Sequence, residues 1–333
     1  MSGEYTVFHG VEGVIKGTPV PKPALGPEDV LVRITHTGFC ATDLAYVEYG
    51  IALGHEGVGV VEAVGPEVTQ FKVGDRAGGG YHRGSCGTCR YCLTGQDIWC
   101  YERSIFGEGD YDNGTFGEYY VVGRETYLHR IPDALASEHA APLQCAGATT
   151  YNALVQVVRP GDRAGIVGIG GLGHLAIQFA RKMGTEVVVF GTSRNKEEEA
   201  KKFGASEFYL LDELEKLTAP VDVLVVAGSK YPDWKKFMTK TVLSRGGNVV
   251  PLAAPHGAID LPAFQMFFDG YNVRSSLVAS RQKHGEMLQF AASQGVAPWV
   301  EQFELSEAGI QEASTKLKEN KMRYRDVLVA KSA

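Results

Sequence analysis

The sequence predicts an α/β protein in which a β-rich domain is joined to a doubly wound parallel-sheet domain. Three observations carry that prediction. Up to about residue 140, short apolar runs alternate with Gly/Pro turns, the pattern of strands and loops. From Pro160 onward, strands alternate with helical patterns, and those strands are almost wholly apolar, as in a parallel sheet covered on both faces. Between the first such strand and its helix stands Gly168-x-Gly170-x-x-Gly173. With 333 residues the chain is long enough for two domains.

Taken in order, residues 7–36 read as short strands separated by Gly/Pro turns (Gly17 to Pro23, Gly26-Pro27), with period-two alternation in Val30-Leu-Val-Arg-Ile-Thr. Two loop segments, Gly38-Phe-Cys40-Ala-Thr42-Asp43-Leu44 and Gly54-His55-Glu56-Gly57, precede a buried strand, Val58 to Gly65. A loop of four cysteines and a glycine-rich stretch over 104–117 follow, before strand resumes at Gly117 to Val122. Past Pro160 the expected strands are Arg163–Gly168, Glu186–Gly191, Val221–Ala227 and Gly247–Leu252. The expected helices are His174–Met183, Lys196–Phe203 and Trp234–Leu243. A helix over Glu286–Ser293 returns the chain to the β-rich domain. The division expected is therefore 1–148 and 281–333 for that domain, with 149–280 inserted as the parallel-sheet domain.

Composition narrows the function classes. The chain is 44% hydrophobic and 22% charged, ordinary for a globular protein. A formal net charge of −6 and a pI near 5.9 give no electrostatic reason to seek nucleic acid or an acidic membrane. Met1-Ser-Gly-Glu-Tyr lacks the basic-then-apolar order of a signal peptide, and no apolar run approaches the roughly 20 residues of a membrane helix. A reducing, cytoplasmic setting is expected.

Cys86, Cys89, Cys92 and Cys100 stand at spacings of two, two and seven intervening residues. Short spacers let several thiolates converge on one point, and tetrahedral zinc is the usual point of convergence. The alternative, a disulfide cluster, suits a small secreted chain. A four-thiolate site has no open position for a substrate, so it braces a loop and performs no chemistry. A zinc-ribbon nucleic-acid binder built on the same cysteines would need basic surroundings. Here Arg83, Arg90 and Arg103 stand against Asp97 and Glu102, in a chain that is acidic as a whole.

The glycine motif follows a strand and opens a helix, the context that a dinucleotide-binding (Rossmann) fingerprint requires. Gly168 allows the tight turn, Gly170 lets a pyrophosphate approach the backbone, and Gly173 lets helix pack on strand, with Gly171 and Leu172 completing the loop. The helix N-terminus then favours the anion. An NAD-specific site places Asp or Glu at the end of the second strand. Here that strand ends Phe190-Gly-Thr192-Ser193-Arg194-Asn-Lys196, with hydroxyls and cations that suit a 2′-phosphate, so NADPH is expected over NADH.

Cys40, His55, Glu56 and Cys145 form a second group. Two thiolates and an imidazole make a catalytic zinc set with a fourth position open to water or substrate. With these residues in view, the chain resembles the zinc-dependent medium-chain alcohol dehydrogenases, nearest the cinnamyl alcohol dehydrogenase-like branch. The matching segments are Gly38 to Leu44, Gly54-His55-Glu56, the four-cysteine loop and Pro142-Leu-Gln-Cys145-Ala-Gly147-Ala-Thr149-Thr-Tyr151. Ile166 to His174 and Arg323-Tyr-Arg325-Asp-Val complete the likeness.

The resemblance implies a GroES-like β-rich catalytic domain and a Rossmann domain, with the active site in the cleft between them. It implies catalytic zinc on Cys40, His55 and Cys145, with Glu56 as displaceable fourth ligand, and structural zinc on the other four cysteines. It further implies Thr42 as proton carrier, Asp43 orienting His55, Arg325 neutralising Glu56, and Thr149 at the nicotinamide. The expected reaction is hydride transfer between NADPH and an aldehyde or primary alcohol, in a homodimer joined through edge strands near Val273–Ala279.

Two departures from the family pattern stand out. Ala45 occupies the position where the relatives often end a proton relay with His, and only 14 residues separate Cys40 from His55. The short segment implies an altered or wider pocket, and the weakened relay keeps open an alternative, reduction of an iminium or conjugated C=C bond. A non-catalytic NADPH-binding descendant would have eroded zinc ligands, and these are intact. Tyr46, Tyr49, Trp99, Tyr101 and Phe106 are the aromatic candidates for a substrate pocket.

Overall fold

In the computed structural model, which describes residues 3–109, 111–253 and 258–331, the chain divides into two units. One comprises Met1–Cys145 with Ala279–Ala333, and the other Ala146–Val278.

The first unit is organised on a seven-stranded sheet. Its order is Val300–Glu304, Arg325–Val329, Val30–Phe39, Glu56–Val64, Arg76–Gly80 and His129–Arg130, with Tyr119–Val122 also paired to Val30–Phe39. Strand Val30–Phe39 is central because its apolar residues serve two cores. Val30, Val32 and Ile34 pack with Val61, Phe71 and Tyr120, while Phe39 packs with Phe8, Leu53, Phe106, Phe116 and Leu328. The C-terminal strand runs antiparallel beside it, with Asp326 opposite Phe39. That pairing delivers Arg325 to the neighbourhood of Cys40 and Glu56.

The turn expected over Gly17 to Pro23 is mostly strand: Val14–Pro21 pairs antiparallel with Glu4–Val11. Pro19 and Pro21 are tolerated because Val14–Pro21 is an edge strand, paired on one side with Glu4–Val11 and needing no ladder N–H on the other.

The second unit holds six parallel strands in the order Glu207–Leu210, Glu186–Gly191, Arg163–Val167, Val221–Val226, Leu243–Pro251 and Asn272–Val273. The order reverses at Arg163–Val167, the doubly wound arrangement. Val188, Phe190, Leu224 and Val226 are fully buried, as near-continuous apolar strands require. The helix expected over Trp234–Leu243 ends at Phe237. Thr239 terminates it: its hydroxyl bonds the Lys236 carbonyl and the Thr241 hydroxyl, competing with the helical ladder. The strand expected from Gly247 accordingly begins earlier, at Leu243. Among the described residues, no helix is long and apolar enough to cross a membrane.

Candidate functional site

Cys40 lies where strand Val30–Phe39 gives way to helix Ala41–Tyr46, and Glu56 opens strand Glu56–Val64. Cys145 lies in a π-helical turn, Leu143–Gly147. One ligand atom from each of Cys40, His55, Glu56 and Cys145 falls within 4.8 Å of the others. His55 and Glu56 are fully buried, and Nε2 of His55 has no hydrogen-bond partner among the described residues. A buried ring nitrogen without a partner is costly unless something is meant to bind it. Two sulfurs, an imidazole and a carboxylate around one point are a donor set that fits zinc.

The supports of this centre are oriented by Asp43, also fully buried. Its Oδ1 is 3.0 Å from His55 Nδ1 and accepts from the Gly54 N–H, while Oδ2 accepts from the Cys40 N–H. Because a carboxylate only accepts, His55 carries its proton on Nδ1 and turns Nε2 toward the sulfurs. The Thr42 hydroxyl lies 3.6 Å from the Cys40 sulfur. Arg325 Nη2 donates to both oxygens of Glu56 at 2.5 and 2.6 Å. Gly38 makes room for that carboxylate: a Cβ there would stand 1.9 Å from Glu56 Oε2.

The electrostatics follow from burial and these partners. Burial pushes the Glu56 carboxyl up to about 7 against the pull of Arg325 and His55. Burial opposes charge on Arg325 as well, but Glu56 and Cys40 more than offset it. Hydrogen bonding with Cys145 holds the Cys40 thiol well below its ordinary range, and the same contact pushes the Cys145 thiol up. A divalent cation at this point would remove both protons.

The four-cysteine loop folds as the spacing predicts. Four sulfur–sulfur separations are 3.9 Å for Cys86–Cys92, 3.6 Å for Cys89–Cys92, 3.7 Å for Cys89–Cys100 and 3.6 Å for Cys86–Cys100. A tetrahedron with Zn–S bonds of about 2.3 Å has edges of about 3.8 Å, so the group fits zinc and no pair is a disulfide. Backbone N–H groups of Cys89 and Glu102 point at the sulfurs of Cys86 and Cys100. Such contacts, with those from the Thr88 backbone first, bring the Cys86 thiol down to about 6.

In the second unit the three fingerprint glycines behave differently. Gly168 has φ +90°, and a Cβ on Gly173 would lie 1.9 Å from the Gly168 carbonyl oxygen. A Cβ on Gly170 would meet nothing within 4 Å. The fold therefore requires glycine at 168 and 173, while the bareness of Gly170 leaves a place where a pyrophosphate fits against backbone. Helix Gly173–Lys182 starts there, after Leu172. Gly171 belongs to the same turn, and Thr149 is buried in helix Ala148–Val155.

After Gly191, Thr192 and Ser193 lead into a short turn, Arg194–Lys196. Lys196 donates to the Ile169 carbonyl inside the glycine loop. Arg194 bonds Glu197 at 2.8 Å and Glu213 at 2.5 Å. The sequence showed no acid between Phe190 and Lys196; the fold brings two acids to Arg194, one of them from 19 residues downstream.

The aromatic candidates separate into two places within the first unit. Phe106 is buried and stacks on the His55 ring at 4.6 Å, with Tyr46 edge-on to Phe106 and Tyr49 edge-on to Tyr46. Trp99 and Tyr101 line an open cavity of about 500 Å³ at the four-cysteine loop, with Tyr91, Cys100, Arg103 and Glu108. Tyr81, edge-on to His55 at 5.8 Å, was not foreseen, since a lone Tyr in a strand-to-strand turn carries no motif. Nor were Gln144 and His284, whose imidazole and amide meet at 3.0 Å.

Residues 26–133 match the family model for the alcohol dehydrogenase GroES-like domain, and residues 171–293 that for zinc-binding dehydrogenase. An alcohol dehydrogenase of Geobacillus stearothermophilus is 37% identical over 325 residues, covering 94% of this chain and 94% of that protein. The NADP-dependent alcohol dehydrogenase C 1 of Mycolicibacterium smegmatis is 34% identical over 342 residues, covering 97% of this chain and 96% of that one. Among solved structures, a cinnamyl alcohol dehydrogenase from Sorghum bicolor superposes with a TM-score of 0.91 at 30% identity, covering 98% of each chain. The chain belongs to the zinc-binding medium-chain alcohol dehydrogenase family, in its cinnamyl alcohol dehydrogenase-like branch, and is an oxidoreductase acting on the CH–OH group.

Proposed function

We propose that this chain reduces aldehydes, and oxidises the matching primary alcohols, using NADPH and a zinc ion held by Cys40, His55 and Cys145 with Glu56 as displaceable fourth ligand. The observation that carries the proposal is the convergence of those four side chains around the unpartnered Nε2 of a buried His55. A second zinc on Cys86, Cys89, Cys92 and Cys100 braces its loop. Residues 1–148 and 281–333 then hold both metals, and residues 149–280 the cofactor.

When bound, the catalytic zinc supplies Lewis acidity that polarises a carbonyl or acidifies an alcohol, so that hydride can pass to or from the nicotinamide. The rest is done by the chain. Asp43 keeps the His55 tautomer and ring orientation. Arg325 donates to both oxygens of Glu56 and favours its carboxylate form against the burial that opposes it. Thr42 Oγ1 carries the proton of the substrate oxygen. Ala45 is exposed and offers no group to extend that path, so the proton continues through water.

Gly168, Gly170 and Gly173 with Gly171 and Leu172 take the pyrophosphate, and Thr149 the nicotinamide end. Thr192, Ser193, Arg194 and Lys196 take the 2′-phosphate, which would draw Arg194 away from Glu213. A homodimer is supported by the open edge at Asn272–Val273 and by Phe264, Phe267 and Phe268 nearby in sequence. These rings are 70%, 80% and 65% exposed and touch one another. Six cysteines without a disulfide suit a reducing cytoplasm.

The testing experiment is NADPH consumption, with NADH in parallel, over aromatic, aliphatic and conjugated aldehydes and a cyclic iminium. Aldehyde turnover with NADPH that disappears on removal of zinc is the expected result. Ala45 favours a second reading, reduction of an iminium or conjugated C=C bond. Turnover of those substrates alone would establish it and reject the first.

A further inference from the structure

Cys145 is supported differently from the other residues of its group. Cys40, His55 and Glu56 border long strands of the sheet, whereas Cys145 sits in a single π-helical turn after helix Ser137–Pro142. Such a turn departs from the regular helical ladder. The direction of its side chains then depends on contacts from outside the turn.

The residue before Cys145 makes those contacts. Gln144 is fully buried. Its Nε2 donates to the Ala140 carbonyl at 2.9 Å, and its Oε1 lies 3.0 Å from Nε2 of His284. A carbonyl can only accept, so the bond to Ala140 fixes which end of the amide is which. The remaining amide oxygen also only accepts, and His284 must therefore donate from Nε2. His284 belongs to helix Arg281–Gln294, 140 residues away in sequence, and lies flat on His129 with ring centroids 3.9 Å apart and planes at 14°. On another side Gln144 rests against Gly78, where a Cβ would stand 2.9 Å from the Gln144 Cδ. The amide is thus bonded to the preceding helix and to a distant one, and packs against strand Arg76–Gly80.

We propose that Gln144 and His284 are positioning residues that hold the Cys145 sulfur on the catalytic zinc. The proposal rests on the zinc assignment made above. His129 completes the device by stacking on His284 and fixing the plane of its ring. Partners of this kind, one step removed from the metal, change metal affinity or activity by roughly 10–100-fold when lost.

The test uses the zinc-loaded full chain and three variants. Gln144→Leu removes both hydrogen bonds at similar volume, His284→Phe keeps the stack and removes the donor, and His284→Gln restores an N–H donor. Zinc is counted by elemental analysis during a chelator titration. Cobalt replacing the catalytic zinc reports the thiolate-to-metal charge-transfer band, and the thermal midpoint is followed alongside. Gln144→Leu and His284→Phe should surrender one zinc of two at about 10–100-fold lower chelator, with an altered cobalt band. The second zinc should persist as in the parent, and His284→Gln should recover most of the loss. Parent-like retention and band in Gln144→Leu would overturn the proposal. So would release of both metals together with a lowered thermal midpoint, because that is loss of general packing. A parent chain that binds zinc only at the four-cysteine loop would sink the assignment of zinc to Cys40, His55 and Cys145, and this proposal with it, before any variant is made.

Discussion

Asp43 and His55, both fully buried, are joined by a 3.0 Å hydrogen bond between Oδ1 and Nδ1. The same carboxylate also takes the N–H groups of Gly54 and Cys40, so one side chain sets the geometry of two metal-binding candidates. Asp43→Asn keeps the shape, but its amide nitrogen cannot accept, and one of these N–H groups loses its partner. Zinc affinity and kcat/KM should fall by roughly 10–100-fold with little change in NADPH binding. Metal analysis after dialysis, together with steady-state rates, checks this; unchanged zinc content would contradict it.

The fingerprint glycines allow a discriminating pair of variants. Gly173→Ala drives a methyl into the Gly168 carbonyl, so it should lower the thermal midpoint of the cofactor-free chain. Gly170→Ala meets nothing within 4 Å among the described residues and should leave that midpoint alone while raising the NADPH KM about tenfold or more. Equal effects of the two on stability would reject this division of roles.

Cofactor choice rests on Arg194 and Lys196. Charge-assisted hydrogen bonds contribute about 1.5–3 kcal/mol, so Arg194→Ala or Lys196→Ala should raise the NADPH KM by roughly 10–100-fold. With Arg194→Ala the NADH KM should barely move, and a parallel change with both cofactors in that variant would mean that Arg194 does not meet a 2′-phosphate. Lys196 has a second duty, its bond to the Ile169 carbonyl, and so its replacement should also loosen the glycine loop.

The stacked histidines give the stability a pH dependence. Burial pushes His129 down to about 4, aided by His82 and Arg281 and opposed by Asp97; burial likewise holds His284 well below its ordinary range. A histidine depressed in the folded state takes its proton first in the unfolded chain. Its stabilisation is therefore complete above about pH 6.5 and is lost as pH falls from there toward 4. The slope is on the order of 1 kcal/mol per pH unit for each proton involved. Urea unfolding of the parent and of His129→Phe across pH 4–7 checks this. The variant should give the flatter curve.

Much of the cofactor unit was legible because its signals are local. Apolar strands, glycine spacing and the helix after Gly173 all lie within a few residues of one another, and backbone sterics act at that range. The four cysteines were legible for the same reason. The Thr239 helix end was missed, since a side-chain hydroxyl turning back on its own backbone outweighs a favourable helical pattern. Strand Val14–Pro21 was missed because its prolines read as turn until the open side of a two-stranded sheet is known.

By itself the sequence determined the two kinds of domain, the dinucleotide fingerprint and the chemical types gathered for two zinc ions. These follow from periodicity, spacing and donor chemistry. Only the tertiary structure decided what surrounds them. Arg325 reaches Glu56 across 269 positions because the last strand pairs beside Val30–Phe39. Gln144 meets His284 across 140 positions, and Glu213 takes hold of Arg194. Such contacts depend on which strands and helices pack together, and that choice is made by burial of apolar surface over the whole unit. No short stretch of chain contains it.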